Sequence, residues 1–180
     1  MEHIGTQTIE TERLILRKFR LEDAEDMFKN YTSSEKVTEY LTWKPHENVK
    51  GTESYLNYIL PEYEKNDTYR WAIVWKENNE VIGCIDVVDK NDKKFRAELG
   101  WVLGDKYWGK GIMPEAGKAV LEQLFNIGYK RIQALHDVNN PKSGRVMKKI
   151  GMTHEGVLKK YEPNNEGILT DCDIWAIVRD

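Results

Sequence analysis

The chain has 180 residues, enough to enclose one hydrophobic core, and its 40% hydrophobic and 32% charged content is that of a globular protein. A net charge of −3 lacks the basic footprint of sequence-independent nucleic-acid binding. No apolar run reaches membrane-spanning length, residues 1–7 carry no apolar signal core, and Cys84 and Cys172 lack metal-ligand spacing, so one reduced, cytoplasmic, metal-free domain over residues 1–180 is expected.

Arg13 to Phe19 reads as a first strand. Leu21 to Phe28 predicts a helix with acids crowding its first turn, where the dipole favours them. Ser34 to Leu41 predicts a short helix, and Asn48 to Lys65 a longer one that Pro61 bends or ends. Three strands follow: Tyr69 to Trp75, Glu80 to Val88, and Phe95 to Leu103, with Asn78-Asn79 as the first turn. In the last of these, Phe95, Ala97, Leu99, Trp101 and Leu103 share one face. Arg96, Glu98, Gly100 and Val102 share the other, so Glu98 points away from the more apolar side. Next comes the stretch Tyr107-Trp108-Gly109-Lys110-Gly111-Ile112-Met113-Pro114-Glu115-Ala116. A helix is predicted over Ile112 to Ile127, with Pro114 in its first turn and Gly128 as its C-cap. Arg131 to Val138 reads as a strand, and Asn140-Pro141-Lys142-Ser143 opens a helix that ends near Ile150-Gly151. Met152 to Tyr161 and Ile168 to Val178 form a hairpin around Pro163-Asn164-Asn165-Glu166-Gly167. The order describes a mixed α/β fold, with helices flanking a sheet whose fourth strand feeds the glycine loop.

A strand, a glycine loop and a helix start together bind phosphate. Glycine brings backbone N–H groups close to an anion, and the first N–H groups of a helix have no partner within it. The candidates here are the amides of Gly109, Lys110, Gly111, Ile112 and Met113. A nucleotide P-loop is excluded, because the lysine precedes the second glycine and no hydroxyl follows to ligate magnesium. A dinucleotide fingerprint is excluded as well, because Pro114 stands where its third glycine belongs.

Trp108-Gly109-Lys110-Gly111-Ile112-Met113 resembles the Gln/Arg-x-x-Gly-x-Gly/Ala signature of the GCN5-related N-acetyltransferase (GNAT) superfamily. Trp replaces its first residue and Met its last. Asn140-Pro141-Lys142-Ser143 is similar to the family's second cofactor motif, and Lys149-Ile150-Gly151-Met152 to the end of the same helix. Thr11 to Arg17, Ala97-Glu98-Leu99-Gly100-Trp101 and His154-Glu155-Gly156 look most like the Rim-type acetyltransferases of ribosomal-protein N-termini.

The resemblance implies a mostly antiparallel central sheet and acetyl-coenzyme A as co-substrate. It places the pyrophosphate on the amides of residues 109–113. The pantetheine falls along the backbone of Trp101, Val102 and Leu103, where two strands splay, and an N–H near Val102 serves the oxyanion. Asn140 and Ser143 contact the cofactor, and Lys142 and Lys148 its 3′-phosphate. Glu98 or Glu162 is the general base. Ser143 protonates the thiolate, with Tyr161 as an alternative acid.

No serine or cysteine sits in a nucleophile elbow, so direct attack by the amine is expected. An α-amine of pKa ~8 costs only about 1 kcal/mol to deprotonate at pH 7, and a lysine of pKa ~10.4 about 4.6 kcal/mol. A modest base therefore suffices for a protein N-terminus. The loop at Trp43-Lys44-Pro45-His46, the hairpin turn, and the acids Glu162, Glu166, Asp171 and Asp173 are the expected acceptor-binding parts. His136 and His154 read as structural. A small amine (polyamine, amino acid or aminoglycoside) is the rival acceptor, and a non-catalytic acyl-coenzyme A-binding module the rival class. Oligomeric state is left open.

Overall fold

The computed structural model describes residues 1–180. Ile9–Glu10 (β1) pairs with Leu14–Arg17 (β2) at one edge. β1 is too short to carry a periodicity and was not predicted. The predicted first helix changes pitch twice: a 3-10 turn at Leu21–Asp23, α1 at Ala24–Met27, and a π turn at Phe28–Thr32. Asp23 imposes the first break. Its carboxylate accepts from the Arg20 N–H and from both terminal nitrogens of Arg17, each at 2.8 Å. α2 covers only Glu35–Thr38, capped by the Ser34 hydroxyl. α3 spans Val49–Ile59 from an Asn48 cap, and Pro61 ends it as a 3-10 turn, as expected.

Arg70–Trp75 (β3), Glu80–Asn91 (β4) and Arg96–Leu103 (β5) form the sheet centre. β4 runs past its predicted end. Phe95 turns left-handed (φ 50°), so it stays exposed and does not join the apolar face of β5. α4 occupies Ile112–Ile127, as predicted, and Gly128 caps it at φ 112°. Arg131–Asp137 (β6), Pro141–Lys149 (α5), Thr153–Pro163 (β7) and Leu169–Val178 (β8) complete the chain. Because of β1, the glycine loop follows the fifth strand and not the fourth.

The eight strands make one sheet in the order β1-β2-β3-β4-β5-β6-β8-β7, antiparallel except for β5 with β6. Leu99, Leu103, Ile73 and Ile132 pack with Met113, Ala116, Val120 and Leu124 of α4. Ala72, Val74 and Val102 on the other face pack with Met27, Leu56 and Ile59 of α1 and α3. Helices thus cover both faces of the sheet. No helix is long and apolar enough to cross a membrane.

One departure from regular pairing positions everything that follows. β5 and β6 pair from Arg96–Arg131 to Leu99–Ala134 and then part. β5 continues to Leu103 and β6 to Asp137 with no strand between them.

Candidate active site

The parting of β5 and β6 frees one edge of β5. The Gly104 N–H donates to the Ile82 carbonyl, and antiparallel alternation then assigns Val102 and Gly100 to hydrogen-bonded pairs with β4. A Cβ on Gly83 would lie 2.3 Å from the Val102 carbonyl oxygen, which points the same way. This corrects the expectation for Val102: its main-chain groups face Cys84, and only its side chain faces the cleft. The free edge belongs to the main chains of Trp101 and Leu103. The Leu103 carbonyl already accepts from Trp108 Nε1 at 2.8 Å.

That bond explains the tryptophan in the glycine loop, since it pins the loop to the end of β5. The Trp108 ring also holds two ammonium groups, Lys142 Nζ at 4.1 Å and Lys36 Nζ at 5.2 Å from its centre. Gly109 (φ 76°) and Gly111 (φ 74°) are both left-handed, which turns successive amides in one direction. The carbonyl between them is held away: Lys110 O accepts from Arg13 Nη1 at 2.9 Å. Arg13 Nε is tied to Glu115 in the first turn of α4 at 2.7 Å. The N–H groups of residues 109–113 donate to no protein acceptor. Met113 is 3% exposed, so its replacement of a small residue fills the core and leaves the amides untouched.

α5 brings Asn140 and Ser143 to the same cleft. The Asn140 side chain does not cap the helix. Its Nδ2 donates to Ser143 Oγ at 3.2 Å, which leaves the Ser143 proton free to point elsewhere. Gly144 is forced, because a Cβ there would meet His136 Nε2 at 2.7 Å. That nitrogen accepts from Trp175 Nε1 at 3.2 Å, and Nδ1 donates to the Asp137 carbonyl at 2.7 Å. His136 therefore has both nitrogens engaged. His154 bonds Asp173 on the exposed hairpin.

Two cavities meet across the splay, sharing Tyr40, Leu41, Trp101, Val102, Asn140 and Ser143. One, of about 600 Å³, runs under the glycine loop. Its charged lining is Lys36, Lys142, Arg145 and Lys149 against Glu39 alone. Lys148, expected at a phosphate, is not among its residues, whereas Arg145 and Lys149 are. The free amides, the left-handed glycines and these cations fit a diphosphate-bearing cofactor.

The second cavity, of about 520 Å³, carries Asp86, Asp89, Glu98, Asp137 and Glu162 and no lysine or arginine. Trp43 and His46 line it, as expected, and the hairpin turn closes over it through Asn165 Nδ2, which donates to the Thr38 carbonyl. Of the four acids expected to face an acceptor, only Glu162 does. Asp171 is bound by Lys159 and the Lys160 N–H, Asp173 by His154, and Glu166 is exposed at the hairpin tip.

Glu98, expected on a polar strand face, is a buried part of this wall and 9% exposed. Gln133 Nε2 donates to it at 2.7 Å. Burial pushes its carboxyl above the ordinary range; the Gln133 bond opposes this, and Asp89 and Glu162 add to it. Glu162 reaches the same wall through a bulge. Between the pairs Leu158–Cys172 and Glu162–Thr170, β7 carries two more residues than β8, and Lys160 turns left-handed (φ 47°). The sequence offers the two glutamates as alternatives on separate strands, and both line this one cavity. Tyr161 is exposed and lines neither cavity.

Asp86 was not singled out in the sequence. It sits on β4 opposite Gly100, with 13% of its side chain exposed. Burial pushes its pKa up to about 6 from 3.8; Arg70 opposes the rise and Glu62 adds to it. The unfolded chain releases this proton first, so stability falls as pH rises from about 4 to about 6. Asp86→Asn is expected to remove that slope, worth up to about 3 kcal/mol, while Arg70 and Glu62 remain. Urea unfolding of both proteins across this window checks it; parallel pH curves would refute it.

A family model described as an acetyltransferase (GNAT) domain matches residues 13–153. The chain is 32% identical over 174 residues to an uncharacterized N-acetyltransferase, p20, of Bacillus licheniformis, covering 96% of this chain and 97% of that protein. It is 25% identical over 158 residues to the ribosomal protein uS5 alanine N-acetyltransferase of Escherichia coli, covering 84% of this chain and 80% of that one. A GNAT-family acetyltransferase of Bacillus anthracis has the same fold, with a TM-score of 0.80, 30% identity, and coverage of 96% of this chain and 98% of that one. The motifs, the splayed sheet and these matches agree: the chain belongs to the GNAT acetyltransferase family and is an N-acetyltransferase with acetyl-coenzyme A as co-substrate.

Proposed function

We propose that this enzyme acetylates the N-terminal α-amine of a protein, with a ribosomal protein as the first candidate. The observation that carries the reading is the division of charge across the splay. Cations line the half that would take phosphates, and five carboxylates line the half that would take an ammonium, with Arg70 paired to Asp86 and Arg96 to Asp89 outside that lining. The similarity to a ribosomal-protein alanine acetyltransferase supports the choice of acceptor.

In this reading one domain, residues 1–180, does the work. The amides of Gly109, Lys110, Gly111, Ile112 and Met113 hold the pyrophosphate. The free edge of Trp101 and Leu103 pairs with the pantetheine, and one of its N–H groups donates to the acetyl oxygen as charge develops there. The co-substrate supplies an activated acetyl thioester. Glu98 takes the proton of the attacking amine, directly or through one water, and Glu162 holds the ammonium beforehand. Asn140 orients Ser143, which gives its proton to the leaving thiolate; the Asn140 Nδ2 bond to Ser143 Oγ supports this role. The free thiols Cys84 and Cys172 fit a cytoplasmic setting.

Incubation with acetyl-coenzyme A and peptides beginning with Ala, Ser or Met is expected to add one acetyl group at the α-nitrogen, located by mass spectrometry. Acetylation of small amines only would transfer the activity to the second reading. That reading draws support from the unpartnered Tyr31 Oη and Asp86 Oδ1 of residues that line the acceptor cavity.

A further inference from the structure

The lining of the acceptor cavity includes two residues with polar atoms that the protein leaves unsatisfied. Tyr31 Oη and Asp86 Oδ1 are buried without a hydrogen-bond partner, and both residues line this cavity. Tyr31 is 2% exposed. Buried polar atoms are otherwise paired almost throughout proteins, so two orphans in the lining of one cavity point to a ligand. Gly100 stands opposite Asp86 on β5, and no side chain from that position covers the carboxylate.

The charge of the wall specifies the ligand. Asp86 Oδ2 accepts from Arg70 Nε at 3.1 Å, and Arg70 Nη1 donates to Glu62 at 2.7 Å. Two carboxylates share one guanidinium, so the cluster keeps a net negative charge. A phenol oxygen and a carboxylate oxygen can both accept, and a cation with several N–H groups satisfies them together. Asp86 lies one strand over and one residue back from the free Trp101 edge, roughly 6 Å between backbones by sheet geometry.

We propose that Asp86 Oδ1 and Tyr31 Oη form a subsite for a second ammonium carried by the same acceptor whose reactive amine lies at the splay. This rests on the acetyltransfer reading above and names the chemistry of its acceptor. The second ammonium has two possible sources: a free aliphatic diamine, or the first side chain of a peptide beginning with lysine.

The test compares matched acceptors that differ only in that group. Cadaverine is set against pentylamine, and a peptide beginning with lysine against one beginning with norleucine. Binding is read by calorimetry on protein saturated with coenzyme A, and kcat/KM is read separately. The doubly charged member of at least one pair is expected to bind about ten-fold tighter or more. The pair with the larger ratio identifies the source. In Asp86→Asn the ratio is expected to collapse toward one, mainly through KM, and Tyr31→Phe to reduce it less. No preference in either pair of the unaltered protein would overturn the subsite, whether or not the variants fold. A binding preference without acetylation of any acceptor would leave the subsite standing and overturn the proposed function.

Discussion

Gly111→Pro is expected to weaken coenzyme A binding by about 100-fold or more. Proline locks φ near −65° and has no N–H, whereas Gly111 sits at φ 74° with its amide free toward the cleft. The substitution therefore removes a donor and turns its neighbours away from a common centre. Gly109→Ala separates these effects. It keeps the N–H, and a Cβ at that position meets nothing within 4 Å, so only left-handed strain of roughly 1–2 kcal/mol remains. Calorimetry with coenzyme A, beside thermal unfolding of each variant, reads the contrast. A folded Gly111→Pro protein with unaltered affinity would remove the amide cradle from the mechanism.

Glu98→Gln is expected to lower kcat by roughly 10–100-fold and Glu162→Gln by less, with coenzyme A binding retained in both. Glu98 stands on β5 just before the splay, held by Gln133, and its raised pKa brings its proton affinity nearer neutrality. The base must be ionised, so kcat/KM rises with pH through an acidic limb above the ordinary glutamate range. Glu98→Gln is expected to abolish that limb and Glu162→Gln to keep it. The pH profiles of kcat/KM decide between them. Equal turnover in the two single variants would overturn a mechanism with one carboxylate base.

The parts of this molecule that were legible beforehand are those whose reasons are local. α4 could be bounded at both ends because its apolar period lies between a glycine loop and Gly128. The free amides followed from the same two glycines. The parts that were hidden depend on partners distant in the chain. Asp23 breaks the first helix by binding Arg17 and Arg20, a choice its periodicity does not encode. The strand pattern does not show which of Trp101, Val102 and Leu103 turn their main chain to the free edge; the Gly104–Ile82 bond sets that phase. Asp86 reads as an ordinary polar residue alternating along a strand, and only the sheet puts Gly100 beside it and Arg70 behind it. Trp108 looked like a departure from a motif, yet its indole bond to Leu103 secures the loop.

The acid-lined cavity also bears on how a turnover finishes. In the proposed reaction its occupant begins as an ammonium, drawn toward the carboxylates of the lining. Afterwards the same nitrogen is an amide and carries no charge. The attraction on the reacting nitrogen has vanished by the time the product must depart, so release has only the hold of Asp86 and Tyr31 on a second ammonium left to overcome.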